Sequence, residues 1–103
     1  MQTPYSRIYV GRIEGGVPTV YAVGAATVDR LHPRGEATFG WGADAAGAAG
    51  ELARALLTDA SGSEPSEDVR RRFCEQILTR LPRDGFALQR ETVNAWLRRV
   101  VTV

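Results

Sequence analysis

Lysine is absent from this chain, and cysteine and histidine occur once each. Each scarcity removes a class of function. A Walker-type phosphate loop needs a lysine to neutralise phosphate oxygens, so a chain without lysine cannot carry one. His32 has no second histidine with which to share a metal or a proton relay. Cys74 has no partner for an internal disulfide, and its place in a helical apolar pattern reads as a small buried hydrophobe. Both features fit a reducing compartment, and a cytoplasmic protein is expected. Long apolar runs are missing too. None approaches the roughly 20 residues that cross a bilayer, and the opening MQTPYSRIYV lacks the basic start and apolar stretch of a signal peptide, so no membrane partner is expected.

What is present is the composition of an ordinary folded chain. Its 103 residues are 44% hydrophobic and 24% charged, which suits one small domain over residues 1–103 with one core. Thirteen arginines face twelve acids, a near-balance that argues against non-specific nucleic-acid or membrane binding and against acidic mimicry of DNA. Residues 1–63 carry five arginines and six acids, and residues 64–103 eight and six, too small an asymmetry to name a partner. Arginine without lysine, beside abundant Ala, Gly and Val, has the look of a GC-rich bacterial or phage genome.

Apolar periodicity organises the chain. RIYVGRI, residues 7–13, alternates Ile8 and Val10 with Arg7 and Tyr9, as a half-buried strand does, which makes Ile8 and Val10 core candidates. Gly15 and Gly16 supply a hairpin turn into TVYAV, and ATVDRL continues as a third strand of a meander until Pro33 and Gly35 break it. A short extended piece at residues 38–41 leads into the small-residue stretch GWGADAAGAAGE. A helix over residues 48–60 then places Leu52, Ala55, Leu56 and Ala60 on one face, with Gly62 as its terminator. A second helix starts near Pro65 and Ser66. Val69, Phe73, Ile77 and Leu81 recur along it every four residues, flanked by Cys74 and Leu78, until PRDG ends it. FAL is a candidate edge strand, and a third helix carries Val93, Trp96, Leu97 and Val100 on one side. Strands first and helices afterwards predict an α+β fold: a small antiparallel sheet, an N-terminal meander plus short strands, packed on one face by about three helices.

The glycine stretch raises one functional question, since Gly-rich turns entering a helix also cradle anions. Gly42, Asp44, Gly47 and Gly50 would form such a site. No parallel strand follows in the way a dinucleotide fold needs, and Glu51 sits where a phosphate would bind. The expected reading is a structural corner in which small residues let backbones approach, with an anion site as the alternative. Asp29, His32 and Glu36 straddle a Pro/Gly break and give only a weak metal pattern. A Cys74–His32 nucleophile pair would need an exposed Cys74. On the second helix Arg71 and Arg72 have Glu67, Asp68 and Glu75 at helical spacing, so that run is largely self-paired. Arg98 and Arg99 have no such partners and are the more available contacts. Trp41 and Trp96 read as core or rim residues and not as base-stacking platforms.

The order of these motifs, IYVGR opening a hairpin, FGWG before a small-residue corner, ELARALLTDA, then LPRDGFAL and AWL, resembles a family of small single-domain proteins of unknown function in bacterial and phage genomes. The likeness runs over residues 9–97. Phe39, Trp41, Gly42, Leu52, Ala53, Leu57, Leu81, Pro82, Trp96 and Leu97 match its recurrent positions. The corner departs from the family pattern of an aromatic and a Gly-Ser-Gly-Pro run, with Ala43 in the aromatic's place, Ala46 and Ala48 near the serine and proline, and an inserted residue before Leu52. The serine cap is lost, and Asp44 is the expected substitute. The resemblance implies a compact domain in a phage or mobile-element setting, with no catalytic residues and no cofactor to carry over.

These readings converge on a non-enzymatic protein-interaction module whose partner is another protein, such as a host defence complex of the CRISPR kind. Exposed arginine or aromatic side chains would be its anchors. An anion- or nucleotide-binding module using the corner is the alternative, and a DNA-contacting accessory protein using Arg98 and Arg99 a second one.

Overall fold

The structure, a computed structural model, describes residues 7–45 and 47–101. Strand β1 (Ile8–Glu14) forms where the alternation places it, but in the opposite phase. Tyr9 is fully buried, with Gly11 buried beside it. Ile8 and Val10, expected in the core, are half-buried on the other face and belong neither to the core cluster nor to the side chains packed against it. Two features explain the phase. The Tyr9 hydroxyl donates to the Asp59 carboxylate at 2.7 Å, so the phenol is buried without losing its hydrogen bond. Gly11 makes room for Phe86, whose ring would lie 2.1 Å from a Cβ added there. Both phases of IYVGRI are apolar enough to face a core, so alternation alone does not choose between them.

Gly15 and Gly16, at φ +57° and +80°, turn the chain into β2 (Val17–Val23), and β3 (Val28–Leu31) completes the meander. The FAL segment becomes β4 (Gly85–Gln89), which pairs antiparallel with β1, giving the order β3-β2-β1-β4 with β4 at an edge. Residues 38–41 form no strand. Phe39, Gly40, Trp41 and Gly42 are instead buried in irregular chain, with Trp41 edge-on to Phe86 at 4.9 Å between ring centroids.

All the helices pack on the Tyr9 face of the sheet, in one core with Val20, Ala22 and Phe86. Helix α1 (Gly47–Ser61) buries six residues in succession, Leu52 to Leu57. At about 100° per residue that run faces every direction, so α1 is a central helix and not the one-faced helix expected from Leu52 and Leu56. Helices α2 (Glu67–Gln76) and α3 (Arg90–Val101) cover it. Ser66 caps α2 by accepting from the Val69 amide at 3.2 Å, and Glu67 and Asp68 sit in its first turn. Phe73 is fully buried and meets Trp96 edge-to-face at 5.0 Å between centroids.

The second helix is shorter than its apolar stripe implies. Pro82 forces Leu81 into extended backbone, at φ −79° and ψ 150°. The α-helix itself already ends after Gln76, and a 3-10 turn, Leu78–Arg80, carries the chain on to Leu81. This re-aims the stripe. Leu78 becomes fully buried, while Ile77 and Leu81 are half-buried around the core, as are Val69, Cys74 and Leu97. Leu52, Leu56, Phe73, Val93 and Trp96 lie inside it. The result is an α+β fold with an antiparallel sheet and three helices on one face.

Candidate functional site

The two ends of α1 hold the candidate residues. At its start, Gly42 adopts φ +95°, and a Cβ there would lie 2.9 Å from Arg83 Cγ and 3.5 Å from the Leu81 carbonyl oxygen. Its amide donates to the Leu78 carbonyl at 2.8 Å. The closest approach to the helix is at Gly40, where a Cβ would stand 2.8 Å from that of Ala48, so the first turn of α1 lies against Gly40. Gly47 and Gly50 do not take part in this approach, for a Cβ at either meets nothing within 4 Å. Asp44 does not serve as the expected cap. It lies exposed one turn ahead of α1, with its carboxylate 3.2 Å from Arg83.

Acid and base are balanced at this end. Glu51 receives the buried Arg54 guanidinium at 2.6 Å and the Arg34 amide at 2.8 Å, and Arg34 in turn reaches Glu64 at 3.2 Å. The bond from Arg54, helped by the Arg34 amide, holds the Glu51 carboxyl below its usual range. Asp44 and Glu51, which flank the start of α1, thus each hold an arginine already, so neither Arg54 nor Arg83 is left over for an incoming anion. Gly50 lines a depression of about 710 Å³ with Glu67, Asp68, Arg70, Arg71, Cys74 and Glu75. Its walls are mostly charged, and much of that charge is spent internally: Asp68 pairs with Arg71 and Arg72, and Arg71 with Glu75 at 3.8 Å. Cys74 is half-buried there, and burial pushes its thiol above the usual value.

The other end of α1 is open. Gly62, at φ +83°, closes the helix by donating to the Thr58 carbonyl at 2.8 Å. Ser63, Glu64 and Pro65 then carry the chain to the Ser66 cap of α2. Asn94 of α3 satisfies the Ala60 carbonyl at 3.1 Å. Between these three elements lies a cleft of about 640 Å³ with Leu57, Ala60, Val69, Leu97 and Val101 in its lining. That volume is in the range of small-ligand and peptide sites. Glu64 and Arg98 supply the charge at the cleft. Glu64 is already engaged by Arg34, whereas Arg98 makes no ion pair or hydrogen bond with the described residues. Arg99 is exposed but does not line the cleft, so the paired arginines of the sequence separate in space.

The remaining motifs are not assembled. Asp29 is held by Arg7 at 2.6 Å, and among the described residues no three metal-ligating side chains gather. His32 is exposed. A network that the sequence gives no sign of ties the sheet to α1: Arg7 bridges Asp29 and Asp59, and Tyr9 donates to Asp59. Burial, with the Asp59 bond second, raises the Tyr9 phenol above its ordinary value. Asp59 lies 50 positions from Tyr9, beyond the reach of periodicity.

A family model described as a family of unknown function, DUF6166, matches residues 9–99, nearly the whole chain. The chain belongs to that family. No curated protein and no solved structure matches it. Among the described residues no helix is long and apolar enough to cross a membrane. The cleft was missed in the sequence because its lining comes from three helices. The signal that was available is the loop SGSEPS, which parts two helices, together with an arginine, Arg98, that lacks an acid at helical spacing.

Proposed function

We propose that this protein is a non-enzymatic protein-interaction module that holds an apolar segment of its partner in the cleft between α1, α2 and α3, with a carboxylate of that segment on Arg98. The observation that carries this reading is the Arg98 guanidinium, without a partner among the described residues, at an apolar cleft whose acid, Glu64, is already engaged. The charge left for a ligand is positive, and Leu57, Val69, Leu97 and Val101 offer it apolar surface beside Ser61, Ser63 and Ser66. An inorganic anion would make no use of Leu57, Val69, Leu97 and Val101. Nucleic acid would want several cations and a stacking ring, and the cleft lining has one arginine and no aromatic. A protein segment uses both features, and arginine is among the residues that anchor such contacts. A host defence complex of the kind expected from a phage or mobile-element setting would be met through this surface.

Selection of a random peptide display library on the purified protein tests this. Enriched sequences should combine an Asp or Glu with bulky apolar residues, and they should lose binding to Arg98→Glu while retaining it for Gly47→Asp at the other end of α1. Peptides that bind wild type and Arg98→Glu alike would overturn the assignment.

A further inference from the structure

The cleft between α1, α2 and α3 has one acid in its lining, Glu64, and one cation, Arg98. Left to themselves, a carboxylate and a guanidinium on the walls of one cleft attract each other, and a paired Arg98 would have little left for a ligand. They do not pair. Glu64 is turned to Arg34, whose guanidinium stands 3.2 Å from its carboxylate, and that is the one ion pair Glu64 makes among the described residues. Arg34 is not part of the lining. It lies between Pro33 and Gly35, after β3, and its backbone is fixed there. Its amide donates to Glu51 at 2.8 Å, and Glu51 is held in turn by the buried Arg54 guanidinium at 2.6 Å. The Arg34 side chain thus starts from a pinned point beside the first half of α1 and reaches the loop that follows the helix. Both side chains of the Arg34–Glu64 pair are more than half exposed, so the contact adds little to the stability of the fold. Its position gives it another use.

We propose that Arg34 is a positioning residue for the cleft: by drawing Glu64 away, it keeps the Arg98 charge free for the partner's carboxylate. The inference rests on the reading of the cleft given under the proposed function. Arg34 stands outside the lining and acts only through Glu64. With Arg34 in place, the field at the cleft is that of one cation. Without it, the Glu64 carboxylate is released beside Arg98, where it competes with the incoming carboxylate for the guanidinium and repels it. A neutral apolar segment has no carboxylate to lose to this competition, so Arg34 favours an acidic segment over a neutral one.

Fluorescence-anisotropy titration with an acidic display-selected peptide, and with the same peptide carrying an amide in place of its acid, tests this. Arg34→Gln should weaken the acidic peptide about three- to tenfold and leave the amide peptide unchanged. Adding Glu64→Gln should bring the affinity back to within about twofold of wild type. Arg34→Lys, which keeps a cation at Glu64, should bind as wild type does. The Arg34→Gln defect should also shrink as salt is raised, since it is electrostatic. If the pair only braced the loop, Glu64→Gln alone would weaken binding as much as Arg34→Gln, and the double variant would rescue nothing. That result would overturn the proposal, as would an Arg34→Gln variant that binds both peptides like wild type. Arg98→Glu in the same titration keeps the two readings apart. Loss of the acidic peptide in Arg98→Glu, with no effect of Arg34→Gln, refutes the role of Arg34 and spares the cleft. A selection that yields no binder dependent on Arg98 refutes both.

Discussion

The start and the end of α1 are built from opposite materials and do opposite things. The start is rich in glycine and alanine, and there the chain is drawn tight: Gly40 against Ala48, Gly42 against Arg83, with Glu51 holding both the Arg54 guanidinium and the Arg34 amide. The end is a loop of serines between helices, and there the three helices part over Leu57, Val69 and Leu97 and leave Arg98 facing the gap. Small residues at a helix start are commonly taken as room for a ligand. Here they let the protein's own backbone fill that room, and the accessible space lies at the helix end that has no glycine-rich signature.

Variants can break or sharpen this contrast, beginning with one that should damage both ends together. Phe73 and Trp96 hold α2 and α3 to each other over α1, so Phe73→Ala should lower stability by about 3 to 5 kcal/mol in a denaturant melt. An unchanged midpoint would mean that the helices do not depend on this contact. Within the start of α1, Gly42 and Gly47 should behave unlike each other. Gly42→Val meets both an unfavourable φ and the Arg83 stem and should cost about 1 to 3 kcal/mol, whereas Gly47→Ala points into open space and should be neutral or stabilise by up to about 1 kcal/mol. Equal losses at the two positions would erase the distinction between a tight glycine and an incidental one.

Tyr9 anchors the sheet to α1 near its open end. Tyr9→Phe, which removes the bond to Asp59, should cost about 1 to 2 kcal/mol at neutral pH. The folded state keeps the phenol protonated beyond the ordinary value of 10.0, so the native form binds more protons than the unfolded form once pH passes that value. Stability should therefore fall as pH rises above 10, and the part of the fall due to this phenol should disappear in Tyr9→Phe. The smallest effect belongs to the cleft. Arg98→Ala should change the melting midpoint by no more than about 0.5 kcal/mol equivalent, because Arg98 is exposed and unpaired with the described residues. A large loss would make it a structural residue instead of a contact.

The sequence made legible what depends on near neighbours. The Gly15-Gly16 turn, the meander, the Ser66 start of α2 and the FAL edge strand follow from local chemistry and stand in the fold. The phase of β1 was not legible, because it depends on an aspartate in α1 and on a glycine that receives a ring from β4. Leu81-Pro82 marks the extended Leu81, but the end of α2 at Gln76 was not legible, because the four-residue stripe continues through it. At the candidate site, Arg98 was readable from its lack of helical partners. The cleft beside it was not, since Leu57, Val69 and Leu97 belong to helices that only tertiary packing brings together.

The central claim, that this protein meets its partner at the open end of α1, is most directly tested by backbone amide chemical-shift mapping during titration with a display-selected peptide. The account predicts perturbations concentrated at Ala60, Ser61, Val69, Leu97 and Arg98, with residues 40–50 undisturbed. Perturbations concentrated at residues 40–50, with the cleft silent, would contradict it.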